Sequence, residues 1–491
     1  MLVLVLESGI ESQIEYEYEY EYEYDPDLGD DVKRQLGIWA AAAIVIANMI
    51  GVGVFTSTGF QALGLHDSGT ILMTWVVGGV VALCGAAAYA ELGAMMPRVG
   101  GEYVYLRRAY HPLLAVMSGW GSLLAGFSAP IAAAALAFAA YLGTVIGVVD
   151  PVHQKLIAIG LIIAATGMHA TDAVIGGRVQ TVFTALKVGV IVVFVVLGLT
   201  IGTGDWDHFA PRRGGLANVW TDEFAIALMF VSLAYSGWNA ATYIAGEIAD
   251  PRKNLPRALL AGTGIVTVLY ILLNVVFLYA VSPEVLATPP YGPGGPPAVV
   301  EVGDAAGRAL FGDVAGQLMS TLIALALVSA VSAMIMAGPR VYAAMAEDGA
   351  LPPVLGRRNK RGAPMFSVVL QGAIAIAFVV IGQLGELIRY VTFCITIFAA
   401  LTVAAVFVLR VREPDAARPY RTFGYPLTPT IFIAVSIWIA YAQIRANPLE
   451  SLGVLATLVS GALVYFKLLP RGPQPPLPAE LPRAEIKRGD D

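Results

Sequence analysis

The chain has 491 residues, 57% of them hydrophobic and only 13% charged, with a mean hydropathy of +0.71. Soluble domains carry about 25% charged residues, so this composition excludes an ordinary soluble protein and describes an all-α protein that crosses a bilayer many times. The formal charge of −6 carries little information, because much of the acid lies in the first 31 residues, and no nucleic-acid partner is expected.

In chain order, residues 1–32 hold five Glu-Tyr repeats between Glu15 and Tyr24. A lone acidic strand has nothing to pair with, so a disordered tail is expected. From residue 33 to 469, apolar stretches separated by charged or Pro/Gly-rich joints predict about twelve transmembrane helices. They lie near 36–65, 70–94, 112–147, 155–171, 179–202, 222–247, 257–282, 310–337, 364–383, 387–410, 426–444 and 450–467. Residues 470–491 are proline-rich and charged, and a second disordered tail is expected there. Lys33, Arg34, Arg98, Arg107, Arg108, Arg357, Arg358, Lys360 and Arg361 fall on one side of this layout, and only Lys155, Arg212, Arg213, Arg308 and Arg445 must be placed on the other. The bias predicts cytoplasmic termini, and a plasma-membrane location is expected.

The first span carries Met49-Ile50-Gly51-Val52-Gly53 at its middle. Glycine costs a helix about 1 kcal/mol, and a helix broken in lipid frees backbone groups that only protein, water or a ligand can satisfy. An outer half-helix beginning near Val52 would present N–H donors and the positive end of its dipole to a carboxylate. The inner half ending near Met49 would offer carbonyls to an ammonium. A second break, at Leu233-Ala234-Tyr235-Ser236-Gly237 in the sixth span, adds further carbonyls. Paired breaks in corresponding positions of two halves point to a transporter's binding site, and a carboxylate beside an ammonium describes an α-amino acid. Close helix packing is the alternative use of such glycines.

Lys187, near the start of the fifth span, either faces the bundle interior with a partner or snorkels to an interface. Glu91 and Glu247 close the second and sixth spans, where an ion-pair network and a gate are equally open. Cys84 and Cys394 have no CxxC partners and the five histidines show no ligand spacing, so neither a metal nor a cofactor is expected. No catalytic constellation is visible, which argues against an enzyme.

Ser232-Leu233-Ala234-Tyr235-Ser236-Gly237-Trp238-Asn239, continued through Ala245-Gly246-Glu247 to Asn254-Leu255-Pro256, resembles the sixth-helix signature of the amino acid–polyamine–organocation superfamily, and is most similar to the L-type amino acid permease group. Gly100-Gly101-Glu102-Tyr103, Gly338-Pro339-Arg340-Val341-Tyr342, Asp348-Gly349-Ala350-Leu351-Pro352 and Arg418-Pro419-Tyr420-Arg421 match in the same order, over roughly residues 33 to 467. The resemblance implies a five-plus-five inverted repeat with discontinuous helices one and six and two further helices. It implies a secondary transporter of neutral amino acids working by alternating access, through proton symport or exchange. It places the carboxylate at Met49, Ile50, Gly51, Val52 and Gly53, the amino group at Leu233, Ala234, Tyr235 and Ser236, and the side chain near Cys394 and Ile395, with Ala132 and Ala133 of the third span nearby. Lys187 matches a lysine that stands in for sodium in sodium-independent members. The loop from Gly147 to Lys155 lacks the cysteine with which some members bind a heavy chain, so no covalent partner is expected. A polyamine carrier and a non-transporting nutrient sensor on the same fold remain open.

Overall fold

A computed structural model describes residues 36–468, apart from 99, 149, 172–174, 211–214, 289–300 and 360–362. The two expected tails, 1–32 and 470–491, lie outside the described residues, as does the side chain of Glu247. The described chain is helical. In order it forms α1 (Ile38–Met49), α2 (Val52–Leu65), α3 (Ser68–Met95), α4 (Glu102–Ala109), α5 (Pro112–Gly121), α6 (Ala129–Ile146), α7 (Pro151–Thr171), α8 (Ile175–Thr200) and α9 (Asp222–Tyr235). Then follow α10 (Pro251–Ala280), α11 (Pro283–Leu286), α12 (Val302–Phe311), α13 (Asp313–Glu347), α14 (Met365–Ile381), α15 (Leu384–Arg412), α16 (Leu427–Ala446) and α17 (Pro448–Leu468). Among the described residues, ten helical stretches are long and apolar enough to cross a membrane. The other two expected spans fall on shorter apolar helices, Ala185–Thr200 and Met365–Ile381.

Local chemistry sets the boundaries. Asp67 caps α3 by accepting from the Thr70 N–H at 2.7 Å, and Thr221 caps α9 by accepting from Phe224 N–H at 3.2 Å. Between α5 and α6 the chain widens into a π-helix over Ser122–Ser128, just before Pro130. Proline has no N–H to give the preceding turn, so the loosened hydrogen-bond ladder sits there.

Helices far apart in the chain pack in pairs: α2 on α9, α3 on α10, α6 on α13, and α7 on α14. At the far end of the second span, Glu91 is only 1% exposed and accepts from Arg410 at 2.7 and 2.9 Å and from the Thr422 N–H and hydroxyl, each at 2.7 Å. Of the two uses left open for Glu91, the structure shows an ion-pair network, one that pins the α15–α16 connection to α3.

Candidate functional site

Both expected breaks are present. α1 ends at Met49 and α2 begins at Val52, with Ile50 and Gly51 in extended backbone between them. No side chain caps α2, so its first N–H groups face outward without a partner from a cap. In the sixth span α9 stops at Tyr235, Ser236 is extended, and Gly237 takes φ +98°, a left-handed conformation suited to glycine. The chain resumes as a 3-10 helix over Ala240–Glu247.

The two breaks touch each other. A Cβ built on Gly53 would lie 2.5 Å from Ala234 Cα and 2.7 Å from its backbone N, so only glycine permits this approach. Gly51 has open space by contrast, meeting only Met49 O at 3.9 Å. The two glycines thus do different work: Gly53 serves packing, Gly51 the break.

The freed carbonyls are largely taken up by protein donors. The Tyr270 hydroxyl on α10 lies 2.5 Å from Met49 O and 3.2 Å from Ala234 O, bridging the two breaks. Ser236 donates to Leu233 O from its N–H at 2.9 Å and its hydroxyl at 2.6 Å. Lys187 is buried in the interior, 1% exposed, and its Nζ donates to Ile50 O at 3.2 Å. It therefore does not snorkel. α8 packs on α13, but no hydrogen bond from Lys187 to that helix is found among the described residues.

A cavity of about 60 Å³ sits between the breaks, lined by Met49, Gly51, Val52, Gly53, Leu233 and Ser236, with Pro130, Ala330, Ala333 and Met334 opposite. It is continuous in its lining with a cavity of about 1090 Å³: Ala47, Asn48, Pro130, Ser236, Ala333 and Met334 border both. The larger space runs along α1 from Leu36 and takes in Tyr235, Cys394 and Ile395. On the other side of the break, every residue of α2 from Val52 to Ala62 is buried. Phe60 stacks on Phe230 at 5.1 Å, Ser57 donates to Phe230 O at 3.2 Å, and Tyr141 donates to Phe55 O at 2.7 Å. The small cavity is thus open along α1 and sealed along α2.

Of the expected residues, Ile50, Ala234 and Lys187 do not line either space but hold its walls. Ala132 and Ala133 are buried in packing, and the third span contributes Pro130 instead. Sequence reasoning missed Tyr270. A lone tyrosine in an apolar span carries no local signal, and its role exists only once α10 lies across both breaks.

Comparison with known proteins identifies the family. Residues 36–459 match the family model described as amino acid permease. The chain is 30% identical to the mouse b(0,+)-type amino acid transporter 1 over 444 residues, 89% of this chain and 88% of the relative. It is 29% identical to the human large neutral amino acids transporter small subunit 2 over 451 residues, covering 89% and 81%. It is also 29% identical to the serine/threonine exchanger SteT of Bacillus subtilis over 444 residues, covering 90% and 98%. These relatives are transporters and not enzymes. With a broken first and sixth span meeting at one cavity and a family match over most of its length, the chain is an integral membrane protein that belongs to the amino acid permeases of the amino acid–polyamine–organocation superfamily.

Proposed function

We propose that this permease carries small neutral L-amino acids across the plasma membrane by alternating access, without sodium, by proton symport or exchange. The observation that carries the reading is the cavity of about 60 Å³ between the breaks, which has the uncapped start of α2 on one wall and no charged side chain in its lining. One water needs about 10–15 Å³ on this measure, so the space takes a handful of heavy atoms, the size of alanine or serine. The N–H groups at Val52 and Gly53 suit the carboxylate. The ammonium fits the second lone pairs of the carbonyls at Met49 and Ala234, each of which accepts from the Tyr270 hydroxyl. A charged side chain would be buried there without a counter-ion at a cost of several kcal/mol, which favours neutral substrates.

The pairwise packing of α2 with α9, α3 with α10, α6 with α13 and α7 with α14 supports an inverted five-plus-five repeat, with α16 and α17 as the two added helices. Open along α1 and sealed along α2, the molecule has the form of an inward-facing state with cytoplasmic termini. Lys187 supports sodium independence: its ammonium holds Ile50 O, and a sodium ion about 4 Å away would be repelled by about 4 kcal/mol at an effective dielectric near 20. With Cys84 and Cys394 both buried, a disulfide-linked partner has no surface thiol to use among the described residues.

The test is competition for uptake into liposomes containing the purified protein. L-serine or L-alanine is expected to outcompete its amide and its decarboxylated amine by at least about tenfold, because a charged hydrogen bond is worth about 1.5–3 kcal/mol. Equal competition by the amine would favour a polyamine carrier.

A further inference from the structure

Glu102, the first residue of α4, stands on the wall of the larger cavity, and its charge serves nothing in binding a neutral amino acid at the helix breaks. Two neutral donors hold it. The Tyr89 hydroxyl donates to Oε1 at 2.5 Å, and Asn239 Nδ2 donates to the same oxygen at 3.1 Å. Asn239 is fixed in turn by the Tyr243 hydroxyl at 3.2 Å. No described group donates to Oε2, and no described Lys, Arg or His forms an ion pair with Glu102. Arg340 is the other charged residue lining the cavity and has interactions of its own.

A carboxylate held by neutral donors is oriented but not neutralised. Burial pushes the Glu102 carboxyl up from its ordinary value, against the lowering effect of the Tyr89 and Asn239 hydrogen bonds. A cation beside it would relieve that burial cost. The surroundings suit an organic cation in particular, since the rings of Phe127, Trp238 and Tyr243 line the same cavity. A carboxylate with aromatic faces nearby recognises a primary ammonium by charge-assisted hydrogen bonds and cation–π attraction. Asn239, which donates to Glu102, is three residues beyond Ser236, so its Cα lies at most about 11 Å from that of Ser236 at the helix break.

We propose that Glu102 forms a second, transient ammonium subsite on the wall of the larger cavity, which takes the α-ammonium of an amino acid on its way between that cavity's mouth and the helix breaks. The proposal rests on the transporter reading above, and predicts an asymmetry that reading alone does not. Glu102→Gln keeps the acceptor for Tyr89 and Asn239 but removes the charge. In oriented liposomes it is expected to raise the half-saturating amino acid concentration at least fivefold on the face where the larger cavity opens, and to leave the opposite face unchanged. No change on either face, or an equal change on both, would overturn the subsite and leave Glu102 as a structural acceptor. Direct binding is read with ethanolamine, which has the ammonium and no carboxylate, by NMR line broadening on the detergent-solubilised protein. Saturable broadening is expected in the wild type and in Glu102→Asp, and is lost in Glu102→Gln. Broadening that persists in Glu102→Gln overturns the proposal. If Glu102→Gln does not fold, the wild type decides: N-acetylethanolamine, which lacks the ammonium, is expected not to compete, and equal competition refutes the subsite. Ethanolamine binding is measured without transport, so a failure of amino acid uptake in the wild type would count against the transporter reading alone.

Discussion

Gly53→Ala is the sharpest test of whether the two broken helices work as one unit. The new Cβ would stand 2.5 Å from Ala234 Cα, 2.7 Å from Ala234 N and 2.8 Å from Ala234 Cβ. Carbon atoms pack at about 3.5–4.0 Å, so the end of α9 must retreat by about 1 Å. The clash is with backbone, and no side-chain rotation can relieve it. Overpacking of this kind costs about 1–3 kcal/mol, a factor of about 5 to 150 in the population of the packed arrangement. Gly51→Ala is the control, since its added methyl meets only Met49 O at 3.9 Å. The assay pairs amino acid uptake into liposomes with thermal unfolding in detergent. For Gly53→Ala, uptake is expected to fall at least fivefold and the unfolding midpoint to drop. For Gly51→Ala, stability is expected to stay within about 0.5 kcal/mol of wild type. Wild-type uptake and an unchanged midpoint in Gly53→Ala would refute the contact between the breaks and the site built on it.

Lys187→Ala is expected to impair uptake while leaving expression intact, because Ile50 O loses its buried donor. Lys187→Arg keeps the charge but cannot release its proton; if it still exchanges substrate yet no longer accumulates it under a pH gradient, coupling runs through Lys187, whereas sodium-dependent uptake by the wild type would refute that role. Tyr270→Phe removes one hydroxyl from between Met49 O and Ala234 O, and a loss of about 1–3 kcal/mol in stability is expected from calorimetric or thermal unfolding, with slower transport. Glu91→Gln breaks a buried pair with Arg410 and is expected to cost about 3–5 kcal/mol, read as lower folded yield in size-exclusion profiles; normal yield would show the network to be dispensable.

The sequence by itself determined the class of this protein and where its chain breaks. Apolar runs long enough to span a bilayer demand helices, because lipid offers backbone groups no other partner. Gly51 and Gly237 mark the interruptions for the same reason, since only a helix that cannot continue leaves donors and acceptors free. Tertiary structure decided what those breaks do. That Gly53 is a packing glycine and Gly51 is not depends on how closely Ala234 approaches, a distance absent from any local pattern. The split of Lys187 between interior and interface, left open by its place near the start of the fifth span, follows from α8 turning it towards Ile50 O. Tyr270, buried and silent in the sequence, gains its bridging position only because α10 crosses both breaks. Contacts between residues far apart in the chain are fixed by packing, which is why the site's walls emerge only once the helices are assembled.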